Sequence, residues 1–553
     1  MMKRHNSAAL PPSTGGEMHE ETTGKADKSY KRPSRCSRLC SFLIIAAAFS
    51  MLACHCYDYA HGGVARVEHG PASSRRRGGS PFSDPAVPPR RDTGDRKVSA
   101  DNEARELAAA DARRRRELCT GQYIYVQELP SRFNTDMVWD CEDLSPSKGM
   151  CKYTANGGFG PRLRGGDGGV LQETGWYDSD ELALDVIFHD RIKRYECLTN
   201  DSSLASAVYV PFYAGLDVAR HLWGHNVSTR DAMALEMVDL VTARPEWRAL
   251  GGRDHFFVAG RTTWDFRRQG DVDTEWGNKL FRLPAVRNMT AIVVEASPWD
   301  RNDAAIPYPT AFHPATDEAT FFWQDRVRGL ERQWLFSFAG AHAEDSKSIA
   351  SNLVEQCRAS AACSLMECTK GPSNQCDSPA SVMKLFQSST FCLQPRGDRY
   401  TRRLAFDAVL AGCIPVFFHP GTAYVQYTWH LPKNHTDYSV YISEEDVRRN
   451  VSVEERLRRI PPEAVERMRG AVVGLIPAVT YSDTSTKLES TVNDAFDLAL
   501  WGVIRKVAKM RKRIAEGRAE DEKPEMYSWK YPLLGEGQKA EDPHEWDPLF
   551  AFN

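Results

Sequence analysis

Short, nearly continuous apolar runs alternate with helical patterns from residue 118 onward. The first four are YIYVQEL (123–129), SAVYVPFY (206–213), DHFFVAG (254–260) and TAIVVEA (290–296). Runs of this length without polar alternation are typical of parallel strands buried on both faces. They predict a doubly wound, Rossmann-like α/β domain over residues 118–330.

A second series of the same kind follows. It comprises WLFSFAG (334–340), STFCLQP (389–395), CIPVFF (413–418) and DYSVYIS (437–443). This series predicts a second Rossmann-like domain over residues 331–500, followed by a C-terminal helix and tail over residues 501–553. Because the carboxyl ends of parallel strands bind ligands, we expect the two domains to face each other across a cleft.

An uninterrupted apolar pattern, LCSFLIIAAAFSMLACHCY, occupies residues 39–57 and contains no Asp, Glu, Lys or Arg. At about 1.5 Å rise per residue, a helix of this length nearly crosses a hydrocarbon core about 30 Å thick. The fifteen residues before it carry six Lys or Arg and the fifteen after it carry one. The positive-inside rule therefore predicts a type II signal-anchor, with residues 1–38 as a cytoplasmic tail. A cleaved signal peptide is the alternative, which the long segment ahead of the run disfavours.

The segment between this run and the first strand has the composition of a linker. Residues 58–117 are rich in Pro, Gly and Ser and nearly lack large apolar residues, so they predict a disordered stem.

The net charge of −3 over 553 residues gives no basic footprint of the kind that nucleic-acid binding requires. Five N-x-S/T sequons favour a lumenal body; they begin at Asn200, Asn226, Asn288, Asn434 and Asn450.

The cysteines also favour a body that lies in the lumen. Ten of the fourteen lie beyond the apolar run, and this even number suits disulfide formation in an oxidising lumen. Cys141 with Cys151 is one expected pair. Four cysteines that lie close together in the sequence are also expected to form disulfides: Cys357, Cys363, Cys368 and Cys376. Zinc binding by these four is the weaker alternative. Cys413 lies in a strand pattern, and we expect it to be a buried free thiol.

The stretch FCLQPRGDRYTRRLAFDAVLAGCIPVFF (391–418) places charge between two apolar runs. Its pattern predicts a strand, a loop, a helix and a strand, so the loop opens at the cleft, where a diphosphate would be favoured. The expected ligand-binding residues are Arg396, Gly397, Asp398, Arg399, Thr401, Arg402, Arg403 and Asp407. Gly397 would let the backbone approach the ligand, Thr401 would cap the helix or bind phosphate, and Asp407 would accept a ribose hydroxyl. The alternative is that Arg403 and Asp407 form only an i,i+4 ion pair on an exposed helix.

The same stretch resembles the exostosin-like glycosyltransferases of family 47, especially the plant xyloglucan galactosyltransferases of the KATAMARI type. Other matching segments are YVPFYAGLDVARHLWG, GRDHFFVAGRTTWDFRR, IPYPTAFHP, LFSFAGA and EGQKAEDPHEWDP. The match covers most of residues 118–553. The resemblance implies a type II Golgi membrane protein with a GT-B fold. It further implies transfer of galactose from UDP-galactose to a xylosyl side chain of xyloglucan, with inversion.

Two segments depart from the family pattern. The turn after LFSFAG reads GAHAED (340–345), where the family usually has an arginine and a proline in GAPRP. The first strand carries Gln127 and Glu128, where an aspartate before Leu-Pro is commoner. Either change could alter the donor or acceptor, so a transferase with another sugar donor or polysaccharide acceptor stays open. A non-catalytic glycan-binding subunit is the third alternative.

An inverting transfer needs a base that takes a proton from the acceptor hydroxyl. Asp265 in RTTWDF is the first candidate, with Asp217 and His313 as the others. Their structural alternatives are a salt bridge from Asp265 to Arg267 or Arg268, a helix cap at Asp217 and a packed loop at His313. We expect no metal and no cofactor besides the UDP-sugar, because no DxD motif follows an apolar strand and the arginines can supply the positive charge. The expected partners are the UDP-sugar, the polysaccharide, the Golgi membrane and other Golgi glycosyltransferases.

Overall fold

A computed structural model describes residues 113–518, apart from 115, 147, 165–168, 223, 301, 343–347, 370, 372–373 and 486–490. Contacts divide the chain into two units at residue 92, and all described residues belong to the second unit. The predicted tail, signal-anchor and most of the stem lie outside the described residues, as do residues 519–553. Among the helices that are described, none is long and apolar enough to cross a membrane.

The first sheet has six parallel strands in the order β2-β1-β3-β4-β5-β6. They are β1 (Ile124–Val126), β2 (Leu198–Thr199), β3 (Ala207–Tyr209), β4 (His255–Thr262), β5 (Thr290–Glu295) and β6 (Asp303–Ala305). All residues of β3 and β5 are buried, as continuous apolar runs predict. The four expected strands are confirmed, although β1 and β3 are shorter than their apolar runs. The expectation missed β2 and β6, whose two or three residues give too short a pattern.

Helices connect these strands. They are α1 (Thr135–Trp139), α2 (Cys151–Thr154), α3 (Leu184–Lys193), α4 (Ala214–Arg220), α5 (Val227–Thr242) and α6 (Pro245–Leu250). The longest, α5, begins where the Asn226 side chain accepts a hydrogen bond from the Thr229 backbone N–H. The short α6 has a proline at its first position and ends at Gly251, whose φ of 59° favours glycine.

The second sheet has five parallel strands in the order β11-β10-β9-β7-β8. They are β7 (Trp334–Gly340), β8 (Cys363–Glu367), β9 (Ser389–Gln394), β10 (Ile414–Phe417) and β11 (Val440–Tyr441). The helices are α7 (Asp317–Gly329), α8 (Ala350–Ala359), α9 (Pro379–Gln387), α10 (Leu404–Leu410), α11 (Glu444–Arg448), α12 (Val453–Arg458) and α13 (Pro462–Gly474). The expected strands are again present, and β8 is the one that the apolar pattern missed. When the strands of each sheet are numbered separately in chain order, both sheets begin with the order 2-1-3-4-5.

The last described helix, α14 (Ala495–Ala515), returns from the second sheet to the first. Asp494 caps it, and the same carboxylate forms a buried ion pair with Arg191 of α3, at 3.0 Å. Near its end, Arg511 donates to the Ala205 carbonyl oxygen at 3.1 Å. The predicted domain boundary at residue 500 therefore falls inside a continuous helix. Buried apolar side chains from both sheets and from α14 form one core cluster, so the two domains share a continuous hydrophobic core.

Five disulfides pair all ten cysteines beyond the apolar run. They are Cys119–Cys197, Cys141–Cys151, Cys357–Cys363, Cys368–Cys376 and Cys392–Cys413. The expected Cys141–Cys151 pair is confirmed, and the four clustered cysteines form two disulfides, so the zinc alternative is wrong. The expectation of a free thiol at Cys413 is also wrong. Cys413 bonds Cys392 of the neighbouring strand β9, which closes a loop around the arginine-rich stretch.

Candidate functional site

The arginine loop, residues 395–403, leaves the carboxyl end of β9 at the topological switch point of the second sheet. Strand β7 has β8 on one side and β9 on the other, so the chain departs from β7 and β9 in opposite directions. Ligands of doubly wound sheets bind in the crevice that this reversal opens. The structure thus places the predicted anion site where the topology favours a ligand.

The helix that follows the loop is shorter than the sequence predicts. It is α10, which begins only at Leu404, and its N-cap residue Arg403 makes no side-chain capping hydrogen bond. The expectation that Thr401 caps this helix is wrong. The Thr401 hydroxyl instead lies 2.8 Å from Glu295 Oε2 and 2.9 Å from the Tyr308 hydroxyl, and its backbone N–H also donates to Glu295.

Glu295 is a site residue that the sequence interpretation missed. It ends β5 of the first sheet, and its carboxylate accepts both hydrogen bonds from Thr401 of the second domain. Burial raises the pKa of Glu295, and the hydrogen bonds from Thr401 oppose that rise. The available signal was an acidic residue at the end of the buried run TAIVVEA, where a carboxylate needs a partner.

Asp265 connects the arginine loop to the first domain. It lies in the 3₁₀ turn Thr263–Phe266 after β4, with a side chain that is 1 % exposed. Its Oδ1 accepts hydrogen bonds from Arg399 at 2.8 Å and from the Trp276 indole at 2.7 Å, while Oδ2 accepts from Arg261 at 2.6 Å. Burial acts to raise the pKa of Asp265, but the charges of Arg261 and Arg399 together with the indole hold it below the ordinary value.

These contacts bear on the role that the sequence assigns to Asp265. Its two oxygens are occupied by three donors, and a low pKa makes a carboxylate a weaker proton acceptor. The expected alternative partners are engaged elsewhere, Arg267 with Asp303 and Arg268 with Asp231. The assignment as base stays a prediction, and the geometry adds a second role as an ionic bridge between the domains.

Arg403 also reaches across the cleft. One terminal N–H donates to the Ser179 carbonyl oxygen at 2.7 Å, and Nε lies 3.7 Å from Asp407 Oδ2. Asp407 is only 6 % exposed, so this pair is not the solvent-exposed helix pair of the alternative interpretation. Within the arginine loop, two buried guanidinium nitrogens have no hydrogen-bond partner among the described residues, namely Nε of Arg403 and Nη1 of Arg399. Such donors are costly unless a ligand or water accepts from them.

The other predicted residues of the loop differ in environment. Arg396 forms a forked ion pair with Glu444 at 2.7 and 3.2 Å, so its charge is partly neutralised within the second domain. Arg402 donates to the Pro395 carbonyl oxygen at 3.4 Å, and burial lowers its pKa. Gly397 and Asp398 are exposed. A Cβ added at Gly397 would meet no atom within 4 Å, so the fold itself does not require glycine there.

His313 lies behind the arginine loop and is fully buried. Its two ring nitrogens lie 2.6 Å from the Tyr481 carbonyl oxygen and 2.8 Å from the Ser179 hydroxyl, and the ring stacks on Phe159. Burial lowers the pKa of His313 to about 4. The geometry matches the packed-loop alternative and makes His313 a support for Ser179, the residue that holds Arg403.

Asp217 lies within α4 rather than at its cap, which is Tyr213. Its carboxylate accepts from Arg220 at 3.2 Å, and burial raises the pKa of Asp217 to about 6. The charged neighbours are Arg220 and Asp231, which both belong to the first domain. The structure does not bring Asp217 into contact with the arginine loop, and its catalytic assignment stays a prediction.

Glu181 is a second residue that the sequence interpretation missed. It lies in the turn before α3 and is exposed to solvent, yet the charges of Arg403 and Arg261 act on it. The cleft therefore contains a carboxylate that accepts no hydrogen bond from any described residue. No sequence motif marks it, because the short turn DELA resembles many helix starts.

No three His, Cys, Asp or Glu side chains gather into a metal-binding group within the described part of the chain. The expectation that the reaction needs no metal stays a prediction.

The model of the exostosin GT47 domain matches residues 118–457, which include both sheets and the arginine loop. The chain belongs to the exostosin GT47 family of glycosyltransferases. The resemblance inferred from the sequence is therefore confirmed. So is the α/β architecture with parallel sheets, in the form of two sheets with the same initial strand order.

Three relatives from Arabidopsis thaliana show how the family varies. The chain is 58 % identical to "Xyloglucan galactosyltransferase MUR3" over 78 % of its own length and 70 % of the relative's. It is 45 % identical to "Probable xyloglucan galactosyltransferase GT12", over 73 % and 80 % of the two lengths. It is also 40 % identical to "Xyloglucan-specific galacturonosyltransferase 1", over 73 % and 60 %. A solved GtfA/B complex aligns at 12 % identity over 49 % of this chain and 61 % of the other, with a TM-score of 0.24.

Proposed function

We propose that this protein transfers galactose from UDP-galactose to xylosyl side chains of xyloglucan, with inversion at the anomeric carbon. Its similarity to a xyloglucan galactosyltransferase at 58 % identity supports the donor and the acceptor. In this proposal the protein works with a GT-B architecture, with the second sheet holding the nucleotide and the first holding the polysaccharide.

The observation that carries the proposal is the pair of unsatisfied guanidinium donors in the cleft. Nε of Arg403 and Nη1 of Arg399 are buried beside the switch point and lack hydrogen-bond partners among the described residues. A diphosphate supplies anionic oxygens that accept such bonds, and Arg–phosphate pairs are among the strongest in proteins. The negative charge that develops on UDP as the sugar departs would be stabilised by the same two arginines.

The acceptor hydroxyl then loses its proton to a carboxylate of the first domain. Asp265 remains the candidate from the sequence, although Arg399 and Arg261 already occupy it. Glu181 offers a solvent-accessible carboxylate near Arg403 and Arg261 that accepts no hydrogen bond from a described residue, so it is freer than Asp265 to take a proton. The chemistry needs one of the two to lie within reach of the acceptor hydroxyl.

We also propose that the protein is a type II Golgi membrane protein with its body in the lumen. Five disulfides suit an oxidising compartment. All five sequon asparagines are exposed, as glycosylation requires: Asn200, Asn226, Asn288, Asn434 and Asn450. Residues 39–57 would supply the anchor, and association with other Golgi glycosyltransferases would follow from that location.

A second candidate is transfer of galacturonic acid, because one relative at 40 % identity carries that activity in its name. A non-catalytic glycan-binding role is the remaining alternative. Incubating the full-length protein with xyloglucan oligosaccharides and a panel of UDP-sugars separates the three. The proposal expects a β-linked galactosyl product from UDP-galactose, identified by its anomeric proton in the NMR spectrum. Turnover only with UDP-galacturonic acid, or with no donor at all, would contradict it.

A further inference from the structure

Alternate residues of the arginine loop reach across to the first domain. Three of them donate hydrogen bonds to it: Arg399 to Asp265 at 2.8 Å, Thr401 to Glu295 at 2.8 Å, and Arg403 to the Ser179 carbonyl oxygen at 2.7 Å. Between the first two, the ring of Tyr400 stacks on His419 of the second domain. The loop is therefore held by both domains at once.

The contact of Thr401 differs from the other two because it includes the main chain. The backbone N–H and the hydroxyl of Thr401 each lie 2.8 Å from Glu295 Oε2. Arg399 and Arg403 lie two residues away on either side of this point. A bond to the main chain between them restricts the backbone that carries both guanidinium groups, and side chains of a binding site are held in place by supporting bonds of this kind.

The end of β5, which carries Glu295, is also fastened to the second domain by neutral groups. The donors and acceptors come from the segment after β10. The Tyr427 hydroxyl donates to the Val294 carbonyl oxygen at 2.9 Å, and the Gln426 amide bonds the Ala296 N–H at 2.7 Å and the Ala296 carbonyl oxygen at 3.2 Å. Docking of the domains at this point therefore does not depend on Glu295 alone.

A carboxylate adds to this contact what a neutral acceptor lacks. Glu295 is 8 % exposed, and burial raises its pKa, while the hydrogen bonds from Thr401 and the charge of Arg399 oppose the rise. An ionised acceptor forms a stronger hydrogen bond than a neutral one. Glu295 therefore holds Thr401 more firmly than an amide would, and its charge also attracts the neighbouring Arg399.

We propose that Glu295 is a positioning residue for the donor, which places the guanidinium groups of Arg399 and Arg403 by holding Thr401 before the diphosphate binds. The inference rests on the proposed function, since it takes these two arginines as the diphosphate site. Glu295 acts through Thr401 and makes no contact with the donor. The nucleotide site of the second domain is then complete only when the first domain supplies this carboxylate.

The test uses the full-length protein, UDP as the probe, and two substitutions of the same side chain. Glu295→Ala removes the acceptor of both Thr401 bonds. Glu295→Gln removes the charge and keeps an oxygen for both bonds, since both end on one carboxylate oxygen. Gln426→Leu is the matched control, because it also removes two hydrogen bonds between the end of β5 and the second domain and leaves those of Thr401 in place.

Calorimetric titration should give a Kd of UDP about 10-fold higher than wild type in Glu295→Ala and about 2- to 3-fold higher in Glu295→Gln, because the amide oxygen restores the weaker, neutral hydrogen bonds. Gln426→Leu should lower the Tm, as Glu295→Ala does, and keep the wild-type Kd. If Glu295→Ala does not fold, Glu295→Met fills the same space without an acceptor and gives the same comparison. A Kd that is unchanged in the variant without an acceptor, or that rises equally in Gln426→Leu, would overturn the inference.

Hydrogen exchange separates this inference from the proposed function, because it needs no ligand. Peptides covering residues 395–403 should exchange their amide hydrogens faster in Glu295→Ala than in wild type, and at the wild-type rate in Gln426→Leu. Wild type that binds no UDP would contradict the proposed function, and faster exchange in Glu295→Ala would still support the hold of Glu295 on the loop. Wild-type exchange together with wild-type UDP affinity in Glu295→Ala would overturn the inference and leave the proposed function in place.

Discussion

The carboxyl edges of the two sheets share a topology and differ in chemistry. Each sheet begins with the strand order 2-1-3-4-5, and each switch point opens beside a loop that leaves a buried strand. In the second sheet that loop carries four arginines within residues 396–403. In the first sheet the corresponding loop carries Gln127, Glu128, Leu129 and Pro130 beside a cavity that Lys193 and Arg244 also border.

Under the proposed function, this difference assigns the nucleotide to the second sheet and the polysaccharide to the first. Topology decides where ligands bind, because diverging loops open a crevice at the same position in both sheets. The side chains at the two edges differ: guanidinium nitrogens of Arg399 and Arg403 lack a hydrogen-bond partner among the described residues at one, and the amide oxygen of Gln127 lacks one at the other. The bridges from Asp265 to Arg399 and from Glu295 to Thr401 tie the two edges together.

The largest expected effect comes from breaking the Asp265 bridge. Asp265→Asn removes the charge that Arg261 and Arg399 share, and loss of one partner of a buried ion pair costs about 3–5 kcal/mol of folding free energy. We expect lower stability in chemical denaturation, weaker UDP binding because the carboxylate no longer fixes the position of the Arg399 guanidinium, and much lower turnover.

Asp303→Asn is the control, since Asp303 is a buried carboxylate that pairs with Arg267 entirely within the first domain. It should lower stability without changing the Kd of UDP. If Asp265→Asn instead lowers only kcat, by about 10² to 10⁴, and leaves UDP affinity and stability unchanged, Asp265 is the base. Glu181→Gln measured in parallel should then retain turnover.

A smaller effect should follow from opening the disulfide beside the arginine loop. The double variant Cys392→Ala with Cys413→Ala releases a loop of 21 residues, which should lower the free energy of unfolding by about 3 kcal/mol. UDP affinity should fall too, because this disulfide joins the strands that flank the loop. Cys368→Ala with Cys376→Ala should destabilise the protein and keep the Kd of UDP at the wild-type value. Equal UDP affinity in both double variants would show that the Cys392–Cys413 bond does not affect the conformation of the arginine loop.

The arginines of the loop should separate into two groups when UDP is titrated calorimetrically. Arg403→Ala should weaken UDP binding about 10- to 150-fold, since a charge-assisted hydrogen bond contributes about 1.5–3 kcal/mol. Arg403→Lys should restore only part of the affinity, because the planar fork is lost. Arg396→Ala should have a smaller effect, because Glu444 already neutralises Arg396. Unchanged UDP affinity in Arg403→Ala would contradict the diphosphate assignment.

Sequence patterns predicted the long buried strands of both sheets because continuous apolar runs report burial directly. Strand β7, for example, occupies the same residues 334–340 as its apolar run. The site was harder to predict, since its key contacts join residues far apart in the chain. Glu295 and Thr401 are an example, because nothing in the sequence around either residue indicates that the two form a hydrogen bond. Cys413 looked like a free thiol for the same reason: its partner Cys392 is a neighbour only once β9 and β10 pair.

The smallest expected effect concerns the indole that donates to Asp265. Trp276→Phe keeps the ring and removes one hydrogen bond, which should lower the free energy of unfolding by about 0.5–1.5 kcal/mol at neutral pH. The pKa of Asp265 lies below its ordinary value of 3.8 in the folded protein. The bridge therefore contributes stability above the unfolded pKa and loses it as the pH falls through the folded pKa. Loss of the indole donor raises the folded pKa, so acid unfolding of Trp276→Phe should begin at a higher pH than that of wild type. Coincident acid-unfolding curves would show that Arg261 and Arg399 alone set the charge state of this bridge.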